Sequence, residues 1–322
     1  MKVRGRQLRF GVQLQAQRTS WNDYVEALRG VEELGFDTVW TFDHMLPFSG
    51  PDDGPAFETL TTLAAMAILT TRVRIGVLVN GVIYRDPATL AKAAALVDQM
   101  SGGRLEFSLG AAWAEREFRA YGLPFPPLAQ RLDRLDEALR IVKSLWTERR
   151  TTFEGRYYRI EDAPCEPKPL QRPHPPIMVG GSGEGSLRLA ARHATSWNGI
   201  GSPEQLARRA AVLRDRCREE GRDFQEIELS AHLQLAVAPT HDDAEVLAAR
   251  VAAGHGQDLE SQRDGWLLGT PEEVAGQVRR YAAAGFSHWI IGLAHPFDLA
   301  LLRLFHDEVV PRVEANGAAE LP

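Results

Sequence analysis

The residues of this chain best suited to acid–base chemistry follow an apolar run of strand length. Asp43 and His44 come directly after the segment 38–42. Because imidazole titrates near neutral pH, His44 is the leading proton donor or acceptor, and the neighbouring Asp43 carboxylate would orient it or stabilise its charge. The same residues also fit an aspartate that caps the following loop beside a histidine without a role, so both interpretations stay open at this point.

A glycine-rich loop joins the apolar run 175–180 to a helical pattern that begins near Leu187. The loop contains Gly180, Gly181, Ser182 and Gly183. Glycines let the backbone approach a ligand closely, and the first turn of a helix offers unpaired N–H groups with partial positive charge. Such a loop binds a phosphate without a cationic side chain, although an ordinary strand-to-helix turn has the same composition. The spacing matches neither GxGxxG nor a P-loop, which argues against a dinucleotide or ATP site.

Other catalytic arrangements have little support in the sequence. The Gly-x-Ser-x-Gly motif of serine hydrolases is absent, and Cys165 and Cys217 are far apart without metal-binding neighbours, so we predict neither a nucleophilic triad nor a metal site. Tryptophans 40, 113, 197 and 289 lie near strands, where core packing is a simpler explanation than contact with a planar ligand. A phosphate loop, a proton carrier and apolar walls together favour a redox cofactor.

The composition indicates a globular protein of one large or two ordinary domains. The chain has 322 residues, of which 44% are hydrophobic, and a net charge of -6. Interleaved acidic and basic residues argue against a nucleic-acid or anionic membrane surface. The basic N-terminus lacks a cleavage site, and no apolar run is long enough for a membrane span, so we expect a cytoplasmic protein with a small-molecule substrate.

Strand-like and helical patterns alternate eight times, which predicts a (β/α)₈ TIM barrel in a single domain over residues 1–322. A doubly wound open sheet is the alternative, since periodicity does not report closure. Two segments interrupt the alternation: an insertion at about 147–175 that contains a hairpin over 151–160, and a polar loop at about 254–268 that we interpret as a mobile lid. In a barrel, the ligand-binding end collects Gln13, Asp43, His44, Asn80, Gly110, Gly180, Gly181, Trp197, Asn198 and Gly292.

Several stretches, in the same order along the chain, resemble the luciferase-like monooxygenase family, in particular its branch that uses the deazaflavin coenzyme F420. They are Leu34 to Trp40 leading to Asp43-His44; Arg74 to Asn80 leading to Tyr84-Arg85-Asp86-Pro87; Asp98 to Leu105; the glycine loop with Ala194 to Asn198; and Gly269 to Val274. Each stretch is moderately specific, and the ordered set spans nearly the whole chain.

The resemblance implies a barrel whose mouth holds a two-electron cofactor, with the phosphate at Gly180, Gly181 and Ser182. It also implies a bulge after the third strand, with a non-proline cis peptide bond between Leu78 and Val79, that backs the cofactor ring. The residues expected to contact the cofactor are Gln13, Asp43, Leu78, Val79, Asn80, Gly110, Ala111, Ala112, Gly180, Gly181 and Ser182. In relatives that oxidise alcohols or sugars with F420, a histidine that matches His44 is the acid–base group.

Two departures from the family pattern refine the expected activity. Sugar-oxidising relatives have a glutamate shortly after the fourth strand, where this chain has Trp113, and this argues against sugar phosphate oxidation. Flavin-using luciferases have a phosphate-binding arginine where Ala111 stands, which favours F420 over FMN. The expectation is an F420-dependent oxidoreductase, with an FMNH2-dependent monooxygenase and a non-catalytic F420- or flavin-binding protein as alternatives. The family resemblance also implies a homodimer.

Overall fold

Eight parallel strands close into a barrel in the computed structural model, which describes residues 2–254 and 258–315. We number them β1 to β8 in chain order: Arg9–Leu14, Thr38–Thr41, Arg74–Val77, Leu105–Leu109, Ile177–Gly180, Ser196–Gly199, Glu228–Val237 and His288–Leu293. Each strand pairs with its neighbours in sequence, β8 pairs with β1, and β6 pairs with β7 from Ser196 to Gly199. These pairings close the sheet, so the predicted TIM barrel is confirmed and the open sheet is wrong.

Helices lie between the strands and bury their apolar sides against the barrel. They are α1 (Trp21–Glu33), α2 (Thr59–Leu69), α3 (Pro87–Met100), α4 (Glu115–Ala120), α5 (Leu128–Thr147), α6 (Glu184–His193), α7 (Pro203–Glu219), α8 (His241–Gly254), α9 (Leu259–Gln262), α10 (Pro271–Ala283), α11 (Leu299–Leu304) and α12 (Val310–Ala315). Local sequence sets several of the starts. Ser202 and Thr270 each form a capping box followed by proline, which fixes the first turns of α7 and α10. Within the described residues, no helix has the length and apolar character needed to cross a bilayer.

Buried ion pairs occupy the end of the barrel where the strands begin. Glu106 on β4 is bound by Arg9 and by Arg74, whose Nε lies 2.7 Å from the Glu106 carboxylate. Arg9 also binds Glu228 on β7 at 2.9 Å. Nearby, His288 Nε2 lies 2.9 Å from the Thr38 hydroxyl. These polar residues tie neighbouring strands together at one end and leave the opposite end, where the strands finish, for a functional site.

The segment predicted as a polar loop at 254–268 is partly ordered into other elements. Residues 255–257 lie outside the described part, and the lid interpretation stays a prediction for them. The remaining residues form α9, a 3₁₀ turn at Arg263–Gly265 and a strand at Trp266–Gly269 that pairs with Gln234 to Val237 of β7. The loop prediction is therefore wrong for 266–268. The apolar run Trp266-Leu267-Leu268 is strand-like, but its position directly before the capping box of α10 concealed it.

Smaller differences occur at both ends of the chain and in the insertion. A two-stranded hairpin, Lys2–Val3 with Arg6–Gln7, precedes β1 and was not predicted. The helical segment after β8 is divided, because a π-helical segment at Phe305–Val309 lies between α11 and α12. The predicted hairpin of the insertion is present as Thr151–Glu154 paired with Arg159–Ala163. Its turn is held on α5 because Glu137 accepts hydrogen bonds from three consecutive backbone N–H groups, at positions 156–158.

Candidate active site

The side chain of His44 is fixed by a carboxylate from another part of the chain. His44 follows β2, and its Nδ1 lies 2.6 Å from Oε1 of Glu117, on α4. The other carboxylate oxygen of Glu117 accepts hydrogen bonds from the Met45 backbone N–H and from the Tyr84 hydroxyl, both at 2.8 Å. Glu117 is 1% exposed, so the pair forms in a site largely shielded from water.

The surroundings of Glu117 keep its carboxyl group ionised. Burial alone would raise its pKa, but the hydrogen bonds from His44, Met45 N–H and Tyr84 outweigh this effect and lower the pKa below the usual range. Burial and the nearby Glu117 charge raise the pKa of Tyr84, so its hydroxyl remains a donor. An ionised carboxylate only accepts hydrogen bonds, so Nδ1 of His44 carries the hydrogen, and Nε2 of the neutral ring has the lone pair.

Asp43 has a different contact set from the one expected from the sequence. Its carboxylate accepts hydrogen bonds from Thr59 at 2.7 Å, from the Gly81 N–H at 2.8 Å and from Arg85 at 2.9 Å. The expectation that Asp43 orients His44 is therefore corrected: Glu117 makes that contact. Asp43 instead joins the loop after β2 to the loop after β3, because its donors come from both sides of the site.

Aromatic side chains surround the His44 imidazole. The ring centroids of Phe42, Phe48 and Trp113 lie 5.3, 5.4 and 5.3 Å from that of His44. Trp113 is 68% exposed, so the expectation that it packs in the core is wrong. The other tryptophans that the sequence analysis placed near strands, at 40, 197 and 289, are fully buried, so they contribute to the core.

The segment after β3 contains the cis peptide bond between Leu78 and Val79 that the family resemblance implied. Gln13, on β1, donates from Nε2 to the Leu78 carbonyl at 3.1 Å. The Val79 side chain packs over two glycines at the ends of β4 and β5. A Cβ at Gly110 would lie 2.7 Å from Val79, and one at Gly180 would lie 2.9 Å away. Because glycine has no side chain, both positions leave room for the Val79 side chain in the barrel mouth.

Asn80, after β3, and the turn after β4 border the same space. Asn80 donates from Nδ2 to the Ser108 carbonyl at 3.0 Å, while its buried Oδ1 has no partner among the described residues. Ala112 has a φ of 60°, and the Arg131 guanidinium binds the carbonyls of Ala111 and Ala112. Arg131 therefore stabilises this turn, a role that the sequence around Arg131 did not indicate.

The glycine loop leads into α6 as predicted. Gly181 has a φ of 118°, a region that favours glycine, and its carbonyl accepts a hydrogen bond from the Trp197 indole at 2.9 Å. Gly183 is the N-cap of α6, and among the described residues no side chain caps this helix or lies within 4 Å of a Cβ built at Gly183. The first amides of α6 are accessible to an anion, so Gly181, Ser182 and Gly183 fit the phosphate of a cofactor.

The geometry thus brings His44, the Leu78–Val79 segment and the glycine loop to the end of the barrel where strands finish. Sequence reasoning missed Glu117, Tyr84, Arg85 and Arg131. Nothing in the sequence near Glu117 indicated that its side chain faces a histidine 73 residues away. The adjacency of β2, β3 and β4 in the sheet places α4 near the loop after β2.

The model of the luciferase-like monooxygenase family matches residues 7–264, most of the chain. The chain belongs to this family. It is 30% identical to an F420-dependent glucose-6-phosphate dehydrogenase of Kineococcus radiotolerans over 95% of this chain and 97% of that protein. It is also 30% identical to an FMNH(2)-dependent dimethylsulfone monooxygenase of Pseudomonas putida over 87% of this chain and 85% of that protein.

Solved structures share the fold. The crystal structure of an F420-dependent secondary alcohol dehydrogenase in complex with an F420-acetone adduct superposes with a TM-score of 0.82, covers 95% of this chain and 99% of its own, and is 23% identical. At this identity the similarity concerns the fold.

Proposed function

We propose that the protein is an F420-dependent oxidoreductase that exchanges a hydride between the cofactor and an alcohol, a carbonyl or an activated alkene. The observation that carries this proposal is the His44–Glu117 pair beside the Leu78–Val79 segment. The two are linked directly, because Asp43 binds the Gly81 N–H, two residues after Val79, and His44 follows Asp43. A proton carrier next to a flat, apolar cofactor platform is what hydride exchange at a C–O bond requires.

The residues of the site have separate roles in this proposal. Leu78 and Val79 would support the ring of the cofactor, Gly181, Ser182 and Gly183 would bind its phosphate, and Gln13 and Asn80 would line the edge of the platform. Asp43, Gly110, Gly180, Ala111 and Ala112 shape the backbone that surrounds it. When bound, the deazaflavin accepts or donates the hydride. His44 Nε2 takes the hydroxyl proton as an alcohol is oxidised and returns it in the reverse direction, while the Glu117 carboxylate stabilises the protonated ring.

An FMNH2-dependent monooxygenase is the second candidate, and the similarity to the Pseudomonas putida enzyme supports it. Against it stands Ala111, at the position where flavin-using luciferases have a phosphate-binding arginine. Arg131 does not replace that arginine, because its guanidinium already binds the carbonyls of Ala111 and Ala112. We therefore favour F420 as the cofactor.

The test is a titration of the purified protein with F420 and with FMN, each oxidised and reduced, followed by cofactor fluorescence. Tighter binding of F420, and reduction of F420 by an alcohol without oxygen, are the expected results. Tighter binding of FMN with oxygen consumption would move the assignment to the monooxygenase. Binding without any turnover, unaffected by His44→Ala, would indicate a non-catalytic carrier, and binding of neither cofactor would overturn the proposal.

We also propose that the protein is a homodimer that acts in the cytoplasm, as the sequence predicted. The outer surfaces of α1, α2 and α3 support the dimer, since Trp21 is 43%, Ile68 67% and Leu96 51% exposed there. Such a group of exposed apolar side chains is typical of a protein interface. Light scattering of the wild type should give a mass of about two chains, and Ile68→Asp should give one chain with F420 binding intact.

A further inference from the structure

The loops around the proposed active site lack lysine side chains. These loops are the segments that follow the barrel strands, together with 258–265. The latter segment lies beside the loop after β6, because Gln205 donates a hydrogen bond to Asp264 at 2.6 Å. The segments that follow the strands are 15–20, 42–58, 78–86, 110–127, 181–183, 200–202, 238–240 and 294–298. The lysines of the chain are Lys2, Lys92, Lys143 and Lys168, all within the described residues and all outside these loops. Because the backbone amides of the glycine loop are assigned to the cofactor, the cationic side chains that these loops offer an anionic substrate are arginines.

Four of the five arginines of these loops form ion pairs, and the fifth, Arg18, contacts a backbone carbonyl. Arg18 binds the Ser49 carbonyl; Arg85 binds Asp43 and Glu58; Arg116 binds Asp52 and the Pro47 carbonyl; Arg119 binds Glu115; and Arg263 binds Glu245 and Glu260. Carboxylates outnumber arginines in the same loops. A phosphate ester that entered the mouth would therefore meet a net negative charge, and it would have to break an ion pair to reach any of these arginines except Arg18.

The exposed side chains at the mouth are instead apolar at two positions. Trp113 follows β4, is 68% exposed and makes an edge contact with the His44 ring at 5.3 Å between centroids. Ile200 follows β6 and is 62% exposed. Only β5 separates these two strands in the sheet, so the two exposed residues follow strands that end at the same side of the barrel. Exposed apolar side chains next to a proton carrier favour a substrate whose own apolar surface covers them.

We infer that the substrate is a neutral, apolar alcohol, or the matching ketone or enone, with a ring or hydrocarbon face that packs on Trp113, and that it carries no phosphate. This inference rests on the proposed function. In the oxidative direction the substrate C–H bond breaks with transfer of the hydride to F420. The hydroxyl proton passes to Nε2 of His44, and the carbon–oxygen double bond forms. The inference separates this chain from the relatives named as glucose-6-phosphate dehydrogenases.

The experiment compares cyclohexanol, benzyl alcohol and cyclohexenone with glucose 6-phosphate and glucose, using protein whose F420 binding has been measured by fluorescence. F420 or its reduced form is supplied according to the direction. We expect kcat/KM for the best neutral apolar compound to exceed that for glucose 6-phosphate by about 100-fold. Equal or better turnover of glucose 6-phosphate would overturn the inference, and so would an F420-binding protein that turns over none of the apolar compounds.

Variants test the role of Trp113. Trp113→Ala should raise KM for benzyl alcohol by about tenfold and Trp113→Phe by less, with the dissociation constant of F420 unchanged. Val246→Ala, at a 71% exposed position on α8, is the control and should have no effect. An unchanged KM in Trp113→Ala would contradict the inference. Failure to bind F420 would instead overturn the proposed function itself, so the two failures are distinguishable.

Discussion

The Glu117 carboxylate binds Nδ1 of His44 at 2.6 Å, although the two residues lie 73 positions apart in the chain. The contact depends on how α4 docks on the loop after β2. Arg116 donates to the Pro47 carbonyl at 2.6 Å, and the Tyr121 hydroxyl donates to the Met45 carbonyl at 3.4 Å. The helix that carries Glu117 is therefore fixed by the same loop that carries His44, and the pair is formed before any ligand binds.

Replacement of His44 tests its assignment as the proton carrier. His44→Asn removes the group that exchanges the substrate proton, so the rate of F420 reduction should fall by about 10²–10⁴-fold. The dissociation constant of F420 should stay the same, because the phosphate and ring contacts lie on other residues. Anaerobic turnover and fluorescence titration measure the two quantities. A variant with the wild-type rate at saturating substrate would show that His44 carries no proton.

Glu117→Gln should lower kcat by about tenfold while leaving F420 binding unchanged. The amide keeps the size of the side chain but removes the negative charge that stabilises a protonated imidazole. The limb of the pH–rate profile that reports the pair should therefore move to lower pH. Tyr84→Phe, which removes one donor to Glu117 and retains its charge, is the matched control and should change kcat less. A loss of kcat without any movement of the pH profile would indicate a structural role only.

Asp43 should behave as a stabilising residue. Asp43→Asn replaces a buried carboxylate that binds Arg85, Thr59 and the Gly81 N–H, and breaking a buried ion pair of this kind costs about 3 kcal/mol. Denaturant unfolding should report this loss. The pH–rate profile of the folded variant should keep its wild-type shape, because Glu117 still orients His44. A shifted pH–rate profile would instead show that Asp43 acts on His44, as the sequence suggested.

The contrast between Asp43 and Glu117 shows which parts of the site are readable in sequence. The strand ends were predictable because apolar runs stop there, and the ends of parallel strands meet at one face of a barrel. His44, Gln13 and the glycine loop were found in this way. The cis bond at Leu78–Val79 came from the family resemblance rather than from local propensity.

Side-chain partners were not predictable, because sequence adjacency does not determine where a side chain points. Asp43 is next to His44 in the chain, yet its carboxylate contacts Arg85 and Gly81, and the imidazole contacts Glu117. The strand at Trp266–Gly269 was missed for a related reason. It exists because β7 continues beyond β8 and offers Gln234 to Val237 for pairing, which is a property of the assembled sheet.

Gly110→Ala should impair the cofactor platform. The new methyl group would lie 2.7 Å from Val79, so the Leu78–Val79 segment must shift at a cost of about 1–3 kcal/mol. We expect the dissociation constant of F420 to rise by about tenfold, measured by fluorescence. Gly276→Ala in α10 is the matched control, since its nearest neighbour is the end of the Arg279 side chain at 3.7 Å. Unchanged F420 affinity in Gly110→Ala would place the ring elsewhere.

Because of the ion pairs at the end of the barrel where the strands begin, the free energy of unfolding should depend on pH in the acid range. Burial alone would raise the pKa of Glu228, but His288 and Arg9 outweigh it and lower the pKa to about 2. A carboxylate whose pKa is lower in the folded state adds stability above the pKa of the unfolded chain, and the gain is lost as pH falls toward about 2. The shift corresponds to about 3 kcal/mol. Glu228→Gln should therefore be less stable at pH 7 and lose less stability than the wild type between pH 5 and pH 3, in urea unfolding at each pH. Glu272→Gln removes an exposed ion pair with Arg279 and is the control, so its stability should follow the wild-type pH dependence. If the pH dependence of Glu228→Gln ran parallel to that of the wild type, Glu228 would not be the group that titrates.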